Sequence, residues 1–142
     1  MKFVLDASVT LSWLLRDAND RDAAYAFSVL RRLGVADTEI AVPAIWTLEV
    51  ANVIARCEAK SQVTPAQSEA FLEMLRVAPI AVDPATEAYA LSDTLQLARR
   101  YRLSAYDASY LELALRSGAP LATVDADLMR AATKAGVKRL PK

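Results

Sequence analysis

Four acidic side chains in this sequence stand in apolar surroundings, where a carboxylate needs a reason to be. Asp6 ends the run Phe3-Val4-Leu5, and Asp125 follows Leu121-Ala-Thr-Val124. Glu49 lies inside the apolar stretch from Ala44 to Ala55, and Asp107 inside Ser104-Ala-Tyr-Asp-Ala-Ser-Tyr-Leu-Glu-Leu-Ala114. A lone buried carboxylate is costly unless its charge is compensated. Several brought together also repel one another and raise each other's pKa. A divalent cation bound among them resolves both problems, and this is the physical reason to read Asp6, Glu49, Asp107 and Asp125 as one site. Each also has a plainer role open to it. Asp6 and Asp125 can cap the helices that follow them. Glu49 can sit in a wet groove or pair with Arg56. Asp107 can cap its own helix, although Ser104 is better placed to do so. Asp127 reads as a first-turn acid favoured by the helix dipole, with a second possibility of touching the metal or its waters. Asp83 is the control: it too follows an apolar strand, but Pro84 comes next, which marks it as a cap.

The composition removes the competing chemistries. There is no histidine, so Ser-His-Asp and Cys-His mechanisms are excluded. Cys57 is the single cysteine, which excludes an internal disulfide and a multi-cysteine zinc site. A metal would be held by oxygen, which favours Mg²⁺, Mn²⁺ or Ca²⁺ over zinc. With only 3 glycines, all at or near helix ends, no Gly-rich phosphate loop is possible. The formal net charge is zero, so any basic surface for a nucleic acid must be local.

The elements that must position these acids follow from apolar runs and their punctuation. Short strands are expected at Phe3–Leu5, Glu39–Val42, Ile80–Val82 and Leu121–Val124, with a last one at Val137–Leu140. Helices are expected at Ala7–Leu15, from an Asp20 cap to Leu33, at Ala44–Lys60, from Thr64-Pro65 to Val77, from Asp83-Pro84 to Tyr101, at Ser104–Arg116 and at Asp125–Ala135. Gly34, Gly118 and Gly136 stop three of them. Strands that are short, apolar on both faces and alternate with helices predict an α/β fold with a parallel sheet of four to five strands. The 142 residues suit one domain, read here as residues 1–142. At 54% hydrophobic and 24% charged residues, the chain is expected to be ordered. The N-terminus has no signal-peptide apolar region, and no apolar stretch approaches the ~20 residues of a membrane span. The expected location is the cytoplasm.

Four segments, in order, resemble those of the PIN-domain family, and specifically the VapC-type toxins of bacterial toxin–antitoxin pairs. They are Phe3-Val-Leu-Asp6-Ala-Ser8; Pro43-x-x-Trp-x-Leu-Glu49-Val-Ala-Asn52; Leu103-Ser-Ala-Tyr-Asp107-Ala-Ser-Tyr-Leu-Glu-Leu-Ala114; and Leu121-Ala-Thr123-Val-Asp125. No one segment is specific, but together they span nearly the whole chain. The resemblance implies a PIN fold and a metal-dependent endoribonuclease. It implies Asp6, Glu49, Asp107 and Asp125 as the metal-binding and catalytic set, with Mg²⁺ or Mn²⁺ as cofactor. Asp6, Asp107 and Glu49 are then ligands, direct or through water, while Asp125 acts through water or orients the nucleophile. Ser8 and Thr123 are implied as hydroxyls orienting a carboxylate or a water. Asn52, one turn after Glu49 on the same helix face, can bond near the metal or to a neighbouring helix. The implied partners are RNA, a VapB-like antitoxin and a second copy of the chain. Trp13 and Trp46 read as core residues, although an exposed Trp13 would suit an antitoxin interface.

Candidate contacts to the RNA backbone are Arg99, Arg100 and Arg102, and the tail residues Lys134, Lys138, Arg139 and Lys142. A solvated helix end and a solvated tail are the alternative for each group. Two other functions compete. Asp6-x-Ser8-x-Thr10 faintly resembles the opening motif of haloacid-dehalogenase-like phosphatases, but a serine stands where the general acid/base aspartate belongs. A PIN-like module that binds RNA or protein without cleaving would lack some of the acids.

Overall fold

The computed structural model describes residues 1–15 and 19–142. Its core is a parallel sheet of β1 (Lys2–Leu5), β2 (Glu39–Val42), β3 (Ile80–Val82) and β4 (Leu121–Ala122), in the order β3-β2-β1-β4. Register pairs Phe3 with Ile40, Ile40 with Ile80, and Val4 with Leu121. Phe3, Val4 and Leu5 are wholly buried, as expected of a central strand covered on both faces. The chain runs outward from β1 to β2 to β3, then returns to add β4 on the other side of β1. That reversal is a topological switch point, and in open parallel sheets ligands bind beyond the carboxyl ends of the strands at such a point. Asp6 directly follows β1, and Thr123 and Asp125 follow β4.

The helices are α1 (Ala7–Ser12), α2 (Asp20–Arg31), α3 (Ile45–Ala59), α4 (Pro65–Val77), α5 (Thr86–Tyr89), α6 (Leu95–Tyr101), α7 (Ala105–Ser117) and α8 (Ala126–Lys134). The α4 start is a full capping box: Thr64 accepts from the Gln67 N–H, and the Gln67 side chain accepts from the Thr64 N–H. Ser104 caps α7 by accepting from the Asp107 N–H at 3.0 Å. Trp46 is buried and donates its indole N–H to Thr10 Oγ1 at 3.1 Å, tying α3 to α1. Trp13 is half-buried just after α1 and donates to the Ala26 carbonyl at 2.8 Å.

Five expectations change. The cap of α2 is Asn19, which accepts from the Asp22 N–H, rather than Asp20. The first helix ends at Ser12 instead of Leu15. The helix expected from Asp83 begins at Thr86 and is interrupted by a π turn over Ala90–Thr94. The strand expected to reach Val124 stops at Ala122, because the Thr123 hydroxyl and the backbone after it are drawn into hydrogen bonds around Asp6. The last strand is a single bridge between Leu121 and Arg139.

Candidate active site

Asp6 is 4% exposed, and its Oδ2 accepts from the Ser8 hydroxyl at 2.6 Å and the Thr123 hydroxyl at 2.7 Å. Those hydroxyls are themselves oriented. Ser8 Oγ accepts from the Val124 N–H at 3.2 Å, and Thr123 Oγ1 from the Asp125 N–H at 2.9 Å. With a backbone donor on each oxygen, both hydroxyl protons are free to point at the carboxylate. The expected orienting role of Ser8 and Thr123 thus has a definite target. Among the described residues, Asp6 Oδ1 has no hydrogen-bond donor and remains available to a ligand.

Three further acids share this end of the sheet. Glu49, half-buried on α3, accepts from the Tyr110 hydroxyl at 2.7 Å and not from Arg56. Asp107 is half-buried in the first turn of α7, and Ser104's cap leaves its carboxylate free of that duty. Asp125 caps α8 by accepting from the Leu128 N–H at 2.9 Å, so capping and membership of the cluster are not alternatives for it. Burial, helped by the charges of Glu49 and Asp125, pushes Asp6 up to about 6 despite its two hydroxyl donors. Burial and the charges of Asp6, Asp125 and Asp127 push Asp107 up to about 6. Glu49 is also raised, by burial and then by Asp107, against the pull of Tyr110.

The supporting residues divide. Asp127 is exposed and ion-paired with Arg130, yet close enough to add to the field on Asp107. Asn52 is exposed on α3, and among the described residues its side chain makes no hydrogen bond to Glu49 or a neighbouring helix. Asp83 lies outside the cluster. Burial raises its pKa, but the paired guanidinium of Arg116, the Ala85 N–H and the Thr86 hydroxyl together outweigh this and hold it low. Of the basic candidates, Arg139 is engaged in packing: it lies 3.7 Å over the Tyr25 ring and donates to the Thr123 carbonyl. Tyr110 was not singled out from the sequence. Its place three residues after Asp107, one turn along the same helix, is the only signal that could have found it.

This donor set suits a hard divalent cation. It is all oxygen, and among the described residues no lysine or arginine pairs with Asp6, Glu49, Asp107 or Asp125. Among the described residues no three acids form a ready-made cage. Such a geometry fits an ion that keeps several of its waters, as Mg²⁺ does. Two outcomes are expected. In EDTA, folded Asp6 and Asp107 hold protons that the unfolded chain releases, so unfolding free energy should fall as pH rises from about 4 to 6.5. Asp83 has the opposite sign, but its effect lies at the acid end of that range. Chemical denaturation across this range checks the slope, and a profile rising with pH would contradict it. Thr123→Val removes one donor from Asp6 and leaves the Asp125 N–H without its acceptor. Mn²⁺ affinity, measured by calorimetry, should drop by roughly 10–100-fold, the effect expected of losing a group that orients a candidate ligand.

A PIN-domain family model matches residues 3–134. Ribonuclease VapC3 of Mycobacterium tuberculosis, in strains CDC 1551 and H37Rv, is 35% identical over 130 residues, covering 90% of this chain and 85% of the relative. The crystal structure of PAE2754 from Pyrobaculum aerophilum superposes with a TM-score of 0.63 at 20% identity, over 92% of this chain and 84% of that one. VapBC2 from Rickettsia felis, solved bound to a DNA fragment from its promoter, gives a TM-score of 0.62 at 13% identity, over 99% and 98%.

Proposed function

The chain belongs to the PIN-domain family, and from that premise we propose that it is a VapC-type toxin: an endoribonuclease that cleaves RNA phosphodiester bonds with Mg²⁺ or Mn²⁺. The observation that carries this reading is the carboxylate group at the switch point, with buried Asp6 clamped by Ser8 and Thr123 and coupled to Glu49, Asp107 and Asp125. Residues 1–142 are read as one PIN domain. Asp6, Glu49 and Asp107 would hold the ion, directly or through water. A bound divalent cation supplies a more acidic water and neutralises charge developing on the phosphoryl oxygens.

The chain's own residues do the rest. Ser8 and Thr123 fix the Asp6 carboxylate so that Oδ1 faces the ligand. Tyr110 fixes Glu49 by the same logic, and its own proton is firmly held, since burial and then the charge of Asp6 raise its pKa. Asp125, with one oxygen committed to α8, orients the attacking water with the other. No step needs a histidine.

A toxin of this type is held in check by an antitoxin. The likeness to ribonuclease VapC3 and to the paired VapBC2 structure supports a VapB-like partner, and self-association into a dimer belongs to the same reading. The half-buried Trp13 borders a groove with Leu14, Phe71 and Met74, edged by Gln62 and Gln67, which suits an amphipathic antitoxin helix. Among the described residues no helix is long and apolar enough to cross a membrane, and a cytoplasmic location is proposed with the function. Induced expression in a bacterial host without the antitoxin tests the toxin reading. Growth arrest that Asp6→Asn abolishes is the expected result, and equal arrest by both proteins would overturn it.

A further inference from the structure

We propose that the recess between α6 and α8 is the binding site for the phosphodiester backbone of the RNA, beside the carboxylate cluster. The proposal rests on the ribonuclease reading and deepens it. An enzyme whose site is built of acids and whose net charge is zero must still attract a polyanion, so its cations have to be gathered somewhere. The structure gathers them here. Arg100 and Arg102 from the end of α6, and Arg130 and Lys134 from α8, line one recess in which Asp127 is the single acid among the described residues. All four basic side chains are exposed. The remaining lining is partly aromatic, with Tyr101 carrying Arg100 5.5 Å from its ring centre.

The recess is joined to the site. Asp127 is ion-paired with Arg130 inside it and lies in the first turn of α8, two residues after the helix cap Asp125. A strand lying along these cations therefore passes the catalytic acids, with Asp127 as the boundary between attracting and repelling charge.

Arg102 supplies an independent sign of function. It ends α6 with φ 54° and ψ 44°, the left-handed conformation in which helices ordinarily place glycine or asparagine. A long β-carbon-bearing side chain is strained there, and strained positions cluster at binding sites. Helix-end electrostatics account for a cation near this point. They do not account for placing so long a side chain at a position whose backbone prefers glycine, a conformation that Asp37 and Ser61 adopt with much shorter side chains. The structure also separates the sequence candidates: Arg100, Arg102 and Lys134 line the recess with Arg130, while Arg99 does not and Arg139 is engaged in packing.

The test measures binding apart from cleavage. Full-length, antitoxin-free protein carrying Asp107→Asn is titrated into labelled, mixed-sequence single-stranded RNA at several salt concentrations. The same is done after adding Arg102→Gly, or Arg100→Ala with Lys134→Ala. Arg76→Ala, on α4 near the opposite edge of the sheet, is the control. The recess variants should bind roughly tenfold more weakly at low salt. Their dependence of log K on log salt should flatten by about 0.7 per lost contact. Arg102→Gly should lose affinity while melting at the same temperature or higher, which a merely structural role would not produce. If the recess variants bind as tightly as their parent, with the same slope, while the wild-type protein cleaves RNA, the recess assignment fails and the ribonuclease reading stands. If the wild-type protein cleaves no RNA and the Asp107→Asn protein binds none, both fail. If the recess variants lose affinity for an acidic peptide but not for RNA, the recess belongs to a protein partner and the proposal is overturned.

Discussion

Asp6→Asn is expected to abolish RNA cleavage and, in the absence of metal, to make the protein harder to unfold. The two effects have one cause. At neutral pH the folded chain holds a 4% exposed carboxylate whose pKa is raised from 3.8 to about 6, which is roughly 3 kcal/mol of unfavourable burial in the metal-free state. Asparagine keeps the shape and keeps an oxygen to accept from Ser8 and Thr123, but carries no charge. That relieves the penalty and removes the ligand together. Losing a charged metal ligand forfeits several kcal/mol of transition-state stabilisation, so the fall in cleavage should be roughly 10³-fold or more. Denaturation in EDTA at pH 7.5 and a cleavage assay with Mn²⁺ check both halves. A destabilised variant that still cleaves would contradict the account.

Asp107→Asn is expected to lose cleavage to a similar extent with almost no change in fold. Its side chain has no capping duty, since Ser104 does that work, and it is only half-buried. Removing its charge also removes a repulsion that raises Glu49. Mn²⁺ affinity, measured by calorimetry, should fall with activity. Unchanged affinity together with unchanged cleavage would place the metal elsewhere.

The acids were legible because burial makes acids conspicuous. Asp6 directly follows an apolar strand, Asp125 closes the apolar run that β4 begins, and Glu49 and Asp107 interrupt apolar helices. The sheet was legible for the same reason, since strands buried on both faces read as continuous apolar runs. What stayed hidden depends on direction rather than residue type. Tyr110 lies in an apolar run and reads as core, and only the fold shows its hydroxyl aimed at Glu49. Asn19 and Asp20 are adjacent and equally good caps by type, so the sequence could not choose between them. The π turn at Ala90–Thr94 leaves the helical pattern intact and carries no Pro or Gly to announce it. Arg130 sits on an amphipathic helix where a cation reads as solvated, and only the approach of α8 to the end of α6 sets it beside Arg100 and Arg102.

The most direct test of the central claim is cleavage of a mixed pool of structured RNAs by purified, antitoxin-free protein with Mg²⁺, with Mn²⁺ and with EDTA, beside Asp107→Asn. Cleavage in the metal lanes, lost in EDTA and lost in the variant, is the predicted result. Cleavage that survives EDTA, or that the variant retains in full, would contradict a carboxylate-held metal as the source of the activity.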